Sequence, residues 1–165
     1  LRNTVQKGHT FVDELSTVKA VAGSDPAVRA TLMALEKHAN TGIQTLSSLQ
    51  NDFRKLAPLI VEADKNIPDP GWMDLALQQI SSLIKFRRID GSGDLNSAET
   101  IVAQTEKHLS VGDLASAVTS IDRLTSGARA AAEPWIASAK ARQGADQVLA
   151  SLHTHALSLL SLPKG

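Results

Sequence analysis

The 165-residue chain has no cysteine and no tyrosine, and only 3% of its residues are aromatic. Without cysteine there is no disulfide framework, no thiol nucleophile and no cysteine-ligated zinc, and the redox compartment is left open. An excess of charge of either sign is also lacking, because Lys plus Arg and Asp plus Glu both total 17. A balanced chain sets up no long-range field toward nucleic acid or an acidic substrate, so no nucleic-acid partner is expected. No apolar run approaches the roughly 20 residues of a membrane span, and Leu1 to Gly8 lack the apolar segment of a signal peptide. The chain reads as a soluble piece excised from a longer protein.

What is abundant is small and aliphatic: the chain is 42% hydrophobic, mostly through 23 Ala and 21 Leu. These are helix formers, whereas strand-rich domains lean on Val, Ile, Thr and aromatics. The expected class is all-α, a single compact domain over residues 1–165 with about seven to eight helices. Phe11, Leu15, Val18 and Ala22 mark a first helix capped by Thr10, and Asp25 with Pro26 starts a second whose stripe is Val28, Leu32, Leu35 and Ala39. Leu46, Leu49, Phe53, Leu56, Ile60 and Val61 give a longer helix that Pro58 should kink. The run Ile67-Pro68-Asp69-Pro70-Gly71 is the strongest break and is expected to separate two helical halves. Beyond it, Ala76 to Ile84 form a helix, Asn96 and Glu99 read as a capping box, and a hairpin turns at Val111-Gly112-Asp113. After a short Ala-rich turn, a long final helix is predicted from Pro134 or Trp135 to Pro163.

Chemistry-bearing patterns are sparse. Arg88 to Glu99 resembles a calcium-binding loop at several ligand positions, but Arg88 puts a cation where the ion needs an aspartate, so no calcium binding is expected. His9, His38, His108, His153 and His155 include no i, i+4 pair, and no nucleophile elbow, phosphate loop or dinucleotide fingerprint occurs. The expectation is therefore no enzyme, no catalytic residue, no metal and no cofactor. Two surface features remain. Lys85, Arg87 and Arg88 form a basic cluster that suits a lipid headgroup or an acidic partner, or simply a helix C-terminus. Leu157 and Leu162 widen the apolar arc of the last helix beyond one packed face, which marks them as a candidate interaction surface.

Laid in order, several short segments resemble the C-terminal domain of the mitofilin family, in the form found in bacterial relatives of the cristae-organising protein. They are Gly8-His-Thr-Phe11, Ala39-Asn-Thr-Gly42, Phe53-Arg54, Trp72, Phe86-Arg87-Arg88, Leu109-Ser-Val-Gly112-Asp113-Leu114, Gly127-Ala-Arg129, and Pro134-Trp135 with Ala139 and Arg142. The resemblance implies a membrane-organising protein of cristae or contact sites, anchored in an inner membrane by an upstream segment that this chain lacks. The domain would face the periplasm or, alternatively, the mitochondrial intermembrane space. It would act as an interaction module for self-association or for docking partners, including outer-membrane assembly components. Direct membrane contact would come mainly from the missing upstream segments. The hairpin around Gly112-Asp113-Leu114 is also similar to one tetratricopeptide-type helix pair, which makes an adaptor or peptide-binding domain the alternative. An enzyme without a recognisable motif is the third.

Overall fold

A computed structural model describes residues 1–22, 25–65 and 96–161. Among these there are seven α-helices and no strand: α1 (Arg2–Gln6), α2 (Val12–Ala22), α3 (Pro26–Glu36), α4 (Leu46–Lys65), α5 (Ala98–Ser110), α6 (Leu114–Ile121) and α7 (Ser126–Ser161). The all-α expectation holds, and so does the long C-terminal helix. The 67–71 break lies outside the described residues. The chain divides into two compact units, residues 1–51 with 135–165 and residues 52–134.

In the first unit Val5, Phe11, Leu15, Val28, Leu32, Leu35, Ala39, Ile43, Ala145 and Leu149 form one buried cluster. Of the stripes read from spacing, Phe11 and Leu15 from the first and Val28, Leu32, Leu35 and Ala39 from the second belong to it, and Val18 packs against it partly buried. Asp25 caps α3 as predicted, its Oδ1 accepting the Val28 N–H at 3.3 Å. Helix α2 begins at Val12, with the Phe11 carbonyl accepting from the Leu15 N–H at 2.9 Å, so Thr10 lies ahead of the cap position expected for it.

Two loops cross where α1 hands over to α2 and α3 to α4. The Phe11 N–H donates to the Ala39 carbonyl at 2.9 Å, and Gly8 and Gly42 both adopt φ +76° beside that bond. A Cβ on Gly42 would stand 2.4 Å from the Gly8 carbonyl oxygen and 2.9 Å from that of His9. The crossing therefore requires glycine for space as well as for its left-handed backbone. At Gly8 the nearest atoms would be 3.2 Å away, a tighter fit than normal but not a collision.

Helix α7 carries two buried polar groups on one face. Trp135 Nε1 donates to the Leu49 carbonyl at 2.9 Å. Seven residues on, Arg142 is only 7% exposed. Its Nη1 donates to the Val5 carbonyl at 3.1 Å, while Nε and Nη2 grip both oxygens of Asp146 at 3.0 and 2.7 Å. A buried guanidinium is tolerable only when its donors are matched in this way.

In the second unit α5 and α6 form the expected hairpin, closed by Ile101, Val102, Leu109, Leu114, Ala117, Val118 and Ile121. Gly112 makes the turn at φ +79°, and the Asp113 carboxylate caps α6 by accepting the Ser116 N–H at 2.9 Å. Hydrogen bonding from Ser116, first through its side chain and then through its N–H, holds the Asp113 carboxyl below the usual carboxylate range. The predicted capping box at Asn96 and Glu99 is corrected by one residue. Ser97 caps α5 through the Thr100 N–H at 3.2 Å, and Glu99 instead pairs with Lys65 at 3.4 Å. Helix α4 runs continuously through Pro58.

The start of the last helix is also corrected. No turn precedes Pro134, and α7 is one helix of 36 residues from Ser126. Proline at a helix start loses nothing, which is why spacing suggested a start there, while in an interior it costs about 3 kcal/mol. The alanines at 128, 130, 131 and 132 favour the helix, Arg129 pairs with Asp122 and Glu133, and Ala128, Ala132, Trp135 and Ile136 are buried on either side of the proline.

Two outcomes are expected. Gly42→Ala should lower the unfolding free energy in urea titrations by more than about 2 kcal/mol, and Gly8→Ala by distinctly less, since only the former drives Cβ into backbone. Arg142→Met keeps the aliphatic stem but removes the buried bond to the Val5 carbonyl, which is left with the Gly8 N–H alone, and should cost about 1–3 kcal/mol in the same assay. Asp146→Asn, whose side chain is half exposed, should cost less.

Candidate interaction surface

Leu149 is buried on α7, and none of residues 150–158 is buried. The helix nevertheless continues, with Leu152 and His155 half-buried and Ala156 and Leu157 exposed. On one side this arm meets the end of α2 and the start of α3, leaving an apolar groove of about 380 Å³. Its walls are Thr17, Val18 and Val21 from α2, Asp25 and Val28 from α3, and Leu152, His155 and Ala156 from α7. A smaller recess of about 160 Å³ shares Val28, Leu152 and His155 with it. Val21 is 83% exposed and Leu157 is 53% exposed. Large aliphatic side chains left in water beside an apolar groove are a common mark of a contact surface.

The groove carries one polar pair. His155 Nε2 lies 2.9 Å from Asp25 Oδ2, with both side chains about one-third exposed. The Thr17 hydroxyl, at 2.9 Å from the Asp13 carbonyl, is spent on its own helix backbone. A second recess, about 420 Å³, lies in the other unit between Ala57, Pro58, Val61 and Val102, and is rimmed by Glu62, Lys65 and Glu106.

Of the side chains singled out from sequence, Leu157 stands exposed on the arm, off its packed face. Leu162, Lys85, Arg87 and Arg88 lie outside the described residues, as does most of the loop from Arg88 to Glu99. The histidines scatter: His9 and His153 are exposed, and His108 Nδ1 is 3.9 Å from Asp113 Oδ2. His38 tucks Nε2 away from water without a hydrogen-bond partner, and burial, aided by the charge of Lys37, lowers its pKa. Among the described residues no three metal-ligating side chains converge. Sequence reasoning missed Val21 and the meeting of Asp25 with His155. Val21 follows Val18 on a helix already given a buried stripe, and nothing local to Asp25 announces a residue so distant along the chain.

Comparison with known proteins adds relatives. The sequence profile of the mitofilin family, described as a mitochondrial inner membrane protein, matches residues 1–157. The MICOS complex subunit MIC60 of Talaromyces stipitatus is 30% identical over 147 residues, covering 88% of this chain and 23% of that protein. MIC60 of Arthroderma otae is 30% identical over 129 residues, covering 77% and 19%. The corresponding protein of Emericella nidulans is 28% identical over 156 residues, covering 94% and 25%. The chain thus spans a quarter or less of the length of these relatives. They are fungal, and they lend no support to a bacterial periplasmic setting. No solved structure matches the chain.

Two substitutions separate surface from core on this helix. Leu157→Glu should leave the unfolding free energy within about 0.5 kcal/mol of the parent. Leu149→Ala, in the buried cluster, should lower it by about 2–5 kcal/mol. Urea unfolding followed by circular dichroism reads both.

Proposed function

The chain belongs to the mitofilin family, and on that premise we propose that it is a non-enzymatic interaction module of a membrane-organising protein of the mitochondrial inner membrane. Its task is docking, with itself or with protein partners, and its docking surface is the exposed arm of α7 with the adjoining groove. The observation that carries this reading is that none of residues 150–158 of α7 is buried, yet this stretch keeps Leu152 and Leu157, with Val21 exposed on the neighbouring helix. A helix extended beyond its own core gains little unless something else covers it.

The relatives are named as subunits of a complex, and a surface for protein partners is what such a role needs. Organisation of cristae or contact sites, and docking of outer-membrane assembly components, are the settings in which this module would work. It would face the intermembrane space. No helix among the described residues is long and apolar enough to cross a membrane, so anchoring is assigned to a segment other than these helices. Lys85, Arg87 and Arg88 are proposed as a secondary contact for anionic headgroups or an acidic partner segment. The helical hairpin of α5 and α6 belongs to the family domain on this reading, and a tetratricopeptide adaptor is not needed to explain it.

The test is a pair of charge substitutions, Val21→Glu and Leu157→Glu. Both should preserve the circular dichroism spectrum and weaken self-association, or capture of purified outer-membrane assembly components, by at least about tenfold. Unchanged sedimentation and unchanged capture would rule out this surface.

A further inference from the structure

We propose that Asp25 and His155 form a proton-sensitive latch that holds the arm of α7 against the start of α3 and so sets the width of the groove. The proposal rests on reading this groove as the interaction surface and adds its regulation. Three observations carry it. First, His155 Nε2 is 2.9 Å from Asp25 Oδ2 but has no hydrogen-bond partner, so the carboxylate oxygen lies off the N–H direction. A neutral imidazole gains little from such a bent contact, whereas an imidazolium gains the full attraction of the carboxylate, which depends far less on angle. The contact therefore holds when the ring carries a proton.

Second, the anion is fixed independently of the histidine. Asp25 Oδ1 accepts the Val28 N–H at 3.3 Å, and the N-terminus of α3 favours a negative charge there. Loss of the proton from the ring thus releases the arm, not the cap. Third, little else holds the arm. Beyond Leu149 no described residue of α7 is buried, and contact with the groove falls to Leu152, His155 and Ala156.

The surroundings leave the titration to this pair. From α2 the histidine faces Thr17, Val18 and Val21, and from α3 Asp25 and Val28, so Asp25 is the sole other ionisable group lining the groove among the described residues. Arg29 on α3 and His153 on α7 itself are exposed and do not line it. Both side chains of the pair are one-third exposed, enough to exchange protons with solvent and enclosed enough to escape full screening by salt. At lower pH the arm docks and the groove narrows. At higher pH the end of α7, which is one continuous helix, loses this tether and frays open more often, exposing the apolar walls to a partner.

Hydrogen exchange of the intact chain, corrected for the intrinsic pH dependence of amide exchange, tests this between about pH 5 and pH 8, the range in which histidine changes charge. Amides at 150–158 should be about fivefold better protected at the acid end. The amides of Leu32 and Leu35 in the buried cluster serve as the reference for global opening, including the opposite, destabilising effect of protonating His38. Asp25→Asn keeps a capping side chain and removes the charge, and His155→Gln removes the titration. Both should show the lower protection at either pH, and His155→Lys, charged throughout, the higher protection at either pH. A parent chain whose arm is equally protected across the range, or an Asp25→Asn chain that retains the parent's pH dependence, would overturn the latch. Partner capture plays no part in this readout, so failure of the docking surface and failure of the latch are seen separately.

Discussion

A buried guanidinium ties the beginning of this chain to its last helix. A guanidinium buried inside the first unit is costly unless its donors find acceptors, and the partners Arg142 finds are the two carboxylate oxygens of Asp146 and the carbonyl of Val5. Asp146, one turn along the same helix, orients the guanidinium, and Val5 is where α1 is held. Trp135 repeats the device two turns earlier on the same face, spending its only donor on the Leu49 carbonyl of α4. Between them lies Ala139, fully buried and small enough to let the backbones approach. Apolar packing supplies cohesion here, but these directional bonds fix which turn of α7 meets which segment.

Family resemblance and mechanical role coincide at these positions. Gly8 and Phe11 come from one quoted segment and Ala39 and Gly42 from another, and the structure lays them across each other at the Phe11–Ala39 hydrogen bond. Gly112 turns the hairpin, and Trp135 and Arg142 hold the last helix. The described residues Gly8, Phe11, Ala39, Gly42, Gly112, Trp135 and Arg142, which carry part of the likeness, thus maintain the scaffold.

That surface begins where the core ends. The stretch of α7 past Leu149 retains helix-forming residues and a leucine at each turn or so, yet the unit offers it only the edges of α2 and α3 to lean on. The resulting groove has aliphatic walls and, among the described residues, a single ionisable pair, Asp25 and His155. Stability concentrates around Arg142 and the glycine crossing, while the arm is the segment with the least to lose by moving.

Much of the architecture was legible in the sequence because it depends on short-range physics. Helical spacing disclosed the stripes Val28, Leu32, Leu35, Ala39 and Ile101, Val102, Leu109, and all of these side chains are buried. Asp25 before Pro26 disclosed a cap, and Gly112 a turn, because capping and left-handed backbone involve only neighbours within a few residues. The start of α7 was misjudged because proline's local cost was weighed without the burial of Trp135 and Ile136 that offsets it. Leu157 could be assigned to a surface from its angle on the helix. The clash that forbids a Cβ at Gly42, the carbonyl that Arg142 finds at Val5, and the meeting of Asp25 with His155 were decided only by tertiary structure. Each joins residues far apart along the chain, and which faces meet depends on how all the helices pack at once, a quantity that no local window of sequence contains.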